Sequence, residues 1–135
     1  MLLTRESDYA LRFLRELADG QMRSVSDICA GSAVPLPFAY KILKKMEKMG
    51  LVKITRGARG GCSLTGDLNA YTLYDLLEAM GDRQYVNACM EPDYECSWQA
   101  QNEEPCTVHC TLCRIQKDLE GELRKYTLAG LMKKA

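Results

Sequence analysis

The most informative residues for chemistry are the cysteines. Five of the seven in this 135-residue chain lie within 25 residues, as Cys89, Cys96, Cys106, Cys110 and Cys113. Free cysteine usually behaves as a small buried apolar residue, and clustering in an acidic stretch does not fit that role. Since we expect no secretory leader from the opening residues, the group of cysteines favours metal or redox chemistry over a disulfide scaffold, and the odd count fits poorly with complete pairing.

Three of these thiols are expected on one face of a helix. If a helix begins near Pro105, a residue suited to a first turn, then Cys106, Cys110 and Cys113 recur at i, i+4 and i+7. The positive end of the helix dipole lowers a thiol pKa and favours thiolate, the form that binds metal. His109, the only histidine, lies among them as a weaker candidate ligand. A four-thiolate zinc site and a disulfide switch both remain open.

The basic residues are concentrated in another part of the chain. Although the formal net charge is zero, residues 36–66 hold seven bases against the single acid Glu47, a net +6. Residues 75–104 hold eight acids and one base, Arg83, a net −7. A neutral protein with such segregated charges can still present a cationic face to DNA.

The pattern over residues 1–66 predicts three helices of a helix-turn-helix. Thr4 and Ser24 are suited to cap the first two helices, and Pro35 and Pro37 fit the start of a third that ends at Gly50. One face of this third helix is expected to pack on the first two, through Phe38, Ile42, Met46 and Met49. Its other face is basic and consists of Lys41, Lys44, Lys45 and Lys48.

A Gly-rich hairpin is predicted to follow as a wing. The strands Leu51–Thr55 and Cys62–Thr65 flank the turn RGARGG, which carries Arg56 and Arg59. A basic helix can enter the major groove while such a wing reaches a minor groove or phosphates. A solvated lysine face would explain the lysines alone, but three helices followed by this hairpin favour DNA binding. Cys62 is expected to be a small buried hydrophobe.

The remainder is expected to be helical around one irregular stretch. We predict a connecting helix within residues 67–82, a cysteine-rich loop over 83–106, and a long terminal helix within 107–135 that runs to about Lys133. An apolar stripe marks the terminal helix, formed by Leu112, Ile115, Leu119, Leu123 and Tyr126. The start of the chain lacks a basic leader region, and no stretch approaches the roughly 20 apolar residues that span a membrane. We therefore expect a mostly α, cytoplasmic protein without membrane attachment.

Two segments carry a family resemblance. The segment FAYKILKKMEKMGLVKITRGARGGCSL and the opening TRESDYALRFLRELA resemble the IscR/NsrR/CymR, or "Rrf-two", family of bacterial regulators. The resemblance extends over essentially the whole chain, and the GLVKITRGARGG junction of helix and wing is its most specific motif. It implies a transcription regulator rather than an enzyme. It also implies a homodimer paired through the terminal helix on a near-palindromic double-stranded operator.

The resemblance assigns DNA contacts residue by residue. The family's base-reading positions fall on Pro37, Tyr40 and Lys41, and its wing arginine falls on Arg56. Tyr40 stands where some cluster-sensing members have an acid that reads a base, and Pro37 replaces a small polar residue. We therefore expect an operator sequence that differs from those of the best-known cluster-sensing relatives.

The same resemblance implies an iron–sulfur cluster, 4Fe–4S or 2Fe–2S, that controls operator binding. Many members hold it with three loop cysteines and a fourth ligand, within the four-thiolate chemistry common to such clusters. Cys89 takes the place of the first cysteine, Cys110 of the last, and Cys113 of the histidine that follows it. The middle position is open between Cys96 and Cys106, because this loop is longer.

Other ligands and functions stay open at this stage. Asp8 matches an acid on the first helix that the partner chain supplies in some members, although an acid there is also favoured by the helix dipole. A DNA-binding regulator with zinc or a thiol/disulfide switch is the main alternative to a cluster. A metabolite-sensing member without a cluster would not need five clustered cysteines. A thiol oxidoreductase using the pair Cys110 and Cys113 lacks the expected βαβ alternation.

Overall fold

The structure is a computed structural model that describes residues 2–82 and 84–133. Arg83, counted above with the acidic stretch and the first residue of the predicted 83–106 loop, lies outside the described residues. The last two residues of the predicted 107–135 region also lie outside them. Within the described ranges the helices are α1 (Arg5–Leu17), α2 (Val25–Ser32), α3 (Leu36–Lys48), α4 (Leu73–Ala79), α5 (Ser97–Ala100), α6 (Thr107–Lys125) and α7 (Leu128–Met132). The strands are β1 (Val52–Thr55) and β2 (Gly61–Leu64).

The first three helices begin where the sequence predicts. Thr4 Oγ1 accepts a hydrogen bond from Ser7 N at the start of α1, and Ser24 Oγ accepts one from Asp27 N at the start of α2. These side chains satisfy backbone amides that have no partner within the helix. Pro35 precedes α3 and another proline lies in its first turn, where an amide hydrogen is not required. The three-helix arrangement predicted for residues 1–66 is confirmed.

The wing is a two-stranded antiparallel hairpin in which Val52 lies opposite Leu64. The backbone of Cys62 also pairs with Arg23 on the connection between α1 and α2, through N–O distances of 3.0 and 2.8 Å. A Cβ at Gly61 would lie 2.2 Å from the Arg23 carbonyl oxygen, so only glycine permits this close approach. The hairpin is thereby fixed to the helical core at its base.

The core lies between α1, α2 and α3, under the hairpin, and extends to α4 and α7. Ile42 and Met46 are fully buried as expected, but Phe38 is 43% exposed and packs its ring against Tyr9 at 5.9 Å. The predicted core face of α3 was wrong at this position. Ala39 and Leu43 complete the buried face instead, because the apolar stripe is rotated by one residue.

The predicted single terminal helix is interrupted. The backbone leaves the helix at Tyr126, whose carbonyl accepts a hydrogen bond from Leu73 N at 2.8 Å, and Leu128 N donates to Tyr71 O at 2.9 Å. Thr127 then caps α7. This pairing with the start of α4 is a long-range contact, and it replaces the continuous helix to about Lys133 that local periodicity predicts.

Residues 84–106, here called the cysteine segment, are mostly irregular. They hold a short 3₁₀ turn, Ala88–Met90, in addition to α5. The start of the segment is held by Gln116 of α6, whose side chain donates to Gln84 O at 2.5 Å and accepts from Val86 N at 2.7 Å. No helix in the described part of the chain is long and apolar enough to cross a membrane.

Candidate nucleic-acid interface and cysteine site

Helix α3, here called the recognition helix, and the wing line a common groove. Tyr40 and Lys44 on α3, Thr55 and Arg56 on the wing, and Ser26 on α2 line a cavity of about 560 Å³ between the two elements. Tyr40 is 53% exposed. The groove therefore has one wall from the basic face of α3 and another from the wing, as a helix and wing that both contact DNA require.

The other predicted DNA contacts lie at the surface, with one exception. Pro37, Lys41 and Arg59 are exposed. Lys45 is only 30% exposed, and its ammonium group lies 2.5 Å from Glu6 Oε2 and 2.9 Å from the Met80 carbonyl. The structure thus gives Lys45 partners within the protein that local sequence patterns do not indicate.

Glu6 binds a second lysine of the recognition helix. Its Oε1 lies 2.5 Å from Lys41 Nζ, so one carboxylate of α1 holds two lysines that are one turn apart on α3. Hydrogen bonds from Lys41 and Lys45 lower the pKa of Glu6 from its usual value. The carboxylate is therefore ionised at neutral pH and keeps both ion pairs.

Three of the predicted metal ligands lie around one cavity. Cys89, Cys96 and Cys106 line a space of about 640 Å³ together with His109. Cys106 directly precedes α6, and its Sγ accepts a hydrogen bond from His109 N at 3.3 Å. Cys96 and Cys106 directly precede α5 and α6, and both thiols lie at this cavity.

The two remaining clustered cysteines lie farther along α6. Cys110 and Cys113 are exposed, and neither lines this cavity. Cys113 Sγ lies 3.4 Å from His109 Nε2 and 3.8 Å from Met90 Sδ. This thiol therefore contacts the cysteine segment at Met90. Asp8, the other predicted ligand, lies on α1 and forms an ion pair of 2.9 Å with Arg12.

The candidate ligands form a loose group. Within the described ranges, no three His, Cys, Asp or Glu side chains converge closely enough to hold one ion. Three thiols line a common cavity, and two more lie on the adjoining turns of α6. Iron–sulfur clusters are commonly held by four thiolates, so the chain offers enough donors of the right type for such a group.

Cys29 and Cys62 lie outside the group of five closely spaced cysteines, and they differ from these five in being buried. Cys62 is fully buried, and burial raises its pKa to about 11; burial also raises the pKa of Cys29. Both thiols therefore stay protonated at neutral pH and act as small apolar core residues. The prediction for Cys62 is confirmed.

Two of the residues that organise these sites have no strong local signal. Gln116 holds the cysteine segment from α6, 30 residues away from Val86. Asp82 bonds to the first turn of α1, 78 residues from Thr4. Sequence analysis missed both, because each acts through a contact between distant parts of the chain.

The fold defines the class of this protein as a winged helix-turn-helix with a helical C-terminal part. Residues 3–134 match the Rrf2 family, described as iron-dependent transcriptional regulators, and the chain belongs to that family. A protein of Aquifex aeolicus (strain VF5) described as an HTH-type transcriptional regulator is 29% identical over 134 residues, which cover 98% of this chain and 92% of that protein.

Solved structures share the fold. CymR (YrzC), described as the global cysteine regulator of B. subtilis, matches with a TM-score of 0.72 at 23% identity, over 98% of this chain and 96% of that one. T. potens IscR matches with a TM-score of 0.66 at 18% identity, over 98% and 86% of the two chains. The recognition of the family from the sequence, the mostly α winged-helix fold and the assignment as a regulator rather than an enzyme are confirmed.

Proposed function

We propose that this regulator binds DNA as a homodimer and that an iron–sulfur cluster held by its cysteine segment controls the affinity for DNA. The observation that carries the cluster is the shared cavity of Cys89, Cys96 and Cys106 at the start of α6. The cluster supplies one-electron redox chemistry and sensitivity to iron supply and oxidants when it is bound.

The groove between α3 and the wing supports the DNA-binding part. We assign sequence reading to the exposed Pro37 and Tyr40 at the start of α3, because such positions reach base edges when a helix lies in the major groove. Lys41, one turn along from Pro37, would contact a phosphate. Lys44 and the wing residues Arg56 and Arg59 would contact phosphates or the minor groove. A basic element that binds phosphates contributes affinity and salt dependence more than sequence preference.

The exposed apolar face of α6 supports the homodimer. Val108 and Ile115 on α6 are 64% and 47% exposed, and Tyr126, which directly follows the helix, is 49% exposed, although α6 also packs on α4. An unpaired apolar helix face of this kind favours association with a second copy. Two recognition helices related by a two-fold axis would bind a near-palindromic operator.

For the cluster we assign the ligands from the cavity outward. Cys89, Cys96 and Cys106 would supply three thiolates, and Cys110, one turn along α6, or Cys113 would supply the fourth. Asp8 and His109 are weaker candidates. The residues of the chain orient the site: Gln116 fixes the start of the segment, and the hydrogen bond from His109 N positions Cys106 Sγ at the start of α6.

The test of the cluster is anaerobic purification followed by a visible spectrum and assays of iron, sulfide and zinc. We expect a coloured protein with iron and sulfide in equal amounts, and Cys106→Ser should lose both. Cys29→Ser is the matched control, because this cysteine lies in the core of the DNA-binding part. Colourless protein without iron after reconstitution would contradict the cluster, and stoichiometric zinc would replace it.

The test of the interface is a gel shift with a duplex selected from random sequence. We expect Arg56→Ala to weaken binding by roughly tenfold. Arg15→Ala is the control, since this exposed arginine lies on α1. Equal affinities of the two variants at every salt concentration would contradict the role of the wing.

A further inference from the structure

One acid ties the first turn of α1 to the recognition helix. Glu6 holds Lys41 and Lys45 through separate oxygens, each at 2.5 Å. The Lys41 side chain is 65% exposed, and it directly follows Tyr40, which lines the groove between α3 and the wing. A carboxylate that binds two lysines of a DNA-facing helix takes up the same donors that phosphate oxygens would use.

A second acid fixes the position of the first. The carboxylate of Asp82 accepts hydrogen bonds from Thr4 Oγ1 at 2.7 Å, from Thr4 N at 3.3 Å and from Ser7 Oγ. Thr4 and Ser7 lie on either side of Glu6 in the chain. The first turn of α1 is thereby attached to Asp82, which follows Gly81 just beyond the end of α4.

The recognition helix contacts the same place. Lys45 Nζ also donates to the Met80 carbonyl at 2.9 Å, two residues before Asp82. The start of α1, the middle of α3 and the end of α4 thus meet in one polar junction. The cysteine segment begins two residues after Asp82, and the side chain of its first residue, Gln84, donates a hydrogen bond to the Asp82 carbonyl at 3.0 Å.

We propose that Glu6 competes with DNA phosphate for Lys41 and Lys45, and that Asp82 holds Glu6 in this autoinhibitory position. The inference rests on the proposed DNA binding and adds a means of its regulation. While Asp82 holds the first turn of α1, the two lysines are neutralised within the protein. When the start of the cysteine segment moves, Asp82, the first turn of α1 and Glu6 move with it, and the lysines become free to bind phosphate.

The direct test is the salt dependence of binding to a random-sequence duplex of about three helical turns (~30 base pairs). Glu6→Gln keeps the size of the side chain and removes its charge. We expect it to bind roughly two- to tenfold more tightly at low salt, the range of two exposed ion pairs. The slope of log affinity against log salt should steepen by about one to two units, since each phosphate contact contributes ~0.9.

A matched variant separates this effect from a change of net charge. Glu78→Gln removes one acid from the exposed side of α4, near the same junction. It should leave the slope unchanged. Lys41→Met tests the partner: in that background, Glu6→Gln should gain less than it does in the wild type, which is the coupling that a double-mutant cycle measures.

Asp82→Asn tests the second step. We expect it to raise affinity and slope in the same direction as Glu6→Gln, and to add nothing when the two are combined. A role of Asp82 in folding alone would lower the thermal midpoint without a change in slope. Additive effects of the two variants would overturn the assigned role of Asp82.

The proposed DNA binding and the proposed competition by Glu6 are contradicted by different results. If wild-type protein binds the duplex and Glu6→Gln has the same affinity and slope as Glu78→Gln, the competition by Glu6 is overturned while DNA binding stands. If wild-type protein binds no duplex at any salt concentration, the proposed function is overturned together with this inference.

Discussion

The DNA-binding part and the cysteine segment are organised by different means. In residues 5–64, every helix and strand contributes fully or nearly fully buried side chains to one core, Phe13, Ile42 and Leu43 among them. In residues 84–106, Gln84 alone is buried, and Tyr94 and Trp98 are each 49% exposed. The first region carries the contacts that fix its own conformation, whereas the second is held by a few polar bonds and leaves apolar rings at the surface.

This difference supports the proposal that the cysteine segment is the regulated element. A segment without a core has little to oppose a change in conformation, so a ligand that binds one arrangement can determine which arrangement is populated. Its thiols stand around a cavity rather than in a core. Within the DNA-binding part, the first turn of α1 is the element that Asp82 connects to this segment, and Glu6 lies in that turn.

The largest expected effect compares one aromatic residue from each region. Phe13→Ala should lower the free energy of unfolding by about 3–5 kcal/mol, because it leaves a cavity in the core. Trp98→Ala should lower it by less than about 0.5 kcal/mol, since the ring is half exposed. Urea unfolding at equal protein concentration measures both. Similar losses for the two variants would show that the cysteine segment has a core of its own.

A smaller effect is expected where the segment is attached. Gln116→Ala removes the bonds to Gln84 O and Val86 N, whose loss costs on the order of 1–3 kcal/mol for buried partners. Hydrogen exchange should accelerate at the Val86 amide and not at amides of α3. Lys117→Ala, a neighbouring exposed site on α6, is the control. Unchanged exchange at Val86 would mean that other contacts hold the segment.

The smallest expected effect is the change in thermal stability at low pH that follows from the ion pair of Asp19 and Arg23, next to the point where the wing is attached. Hydrogen bonds from Arg23 lower the pKa of Asp19 from 3.8 to about 2, and the Arg23 backbone pairs with Cys62. Because the folded-state pKa is depressed, this ion pair stabilises the fold fully above pH 3.8 and loses its contribution as the pH falls toward 2. The difference in thermal midpoint between wild type and Asp19→Asn should therefore shrink over that range. A difference independent of pH would contradict the assignment.

Sequence analysis predicted the first region well because its signals are local. Thr4 and Ser24 mark helix starts by capping, and the wing follows from two short strands around a Gly-rich turn. The error at Phe38 arose because the small side chain of Ala39 gives little apolar signal, although Ala39 is fully buried.

The second region was predicted less well because its structure depends on distant contacts. The break at Tyr126 follows from pairing with residues 71–73, and no local pattern encodes it. The clustered cysteines were evident from their spacing, but their division between the cavity and the outer side of α6 was not. That division depends on α5 and on the turn at Cys106. Helix α5 is too short to give a recognisable periodicity in the sequence.

We propose that the state of the cysteine segment sets the affinity for DNA. An anaerobic titration of one selected duplex tests this, with iron-loaded protein and with the same preparation after removal of the iron. We expect two clearly different dissociation constants, and a difference that disappears in Cys106→Ser. Equal affinities for the loaded and iron-free protein, with both folded and dimeric, would contradict it.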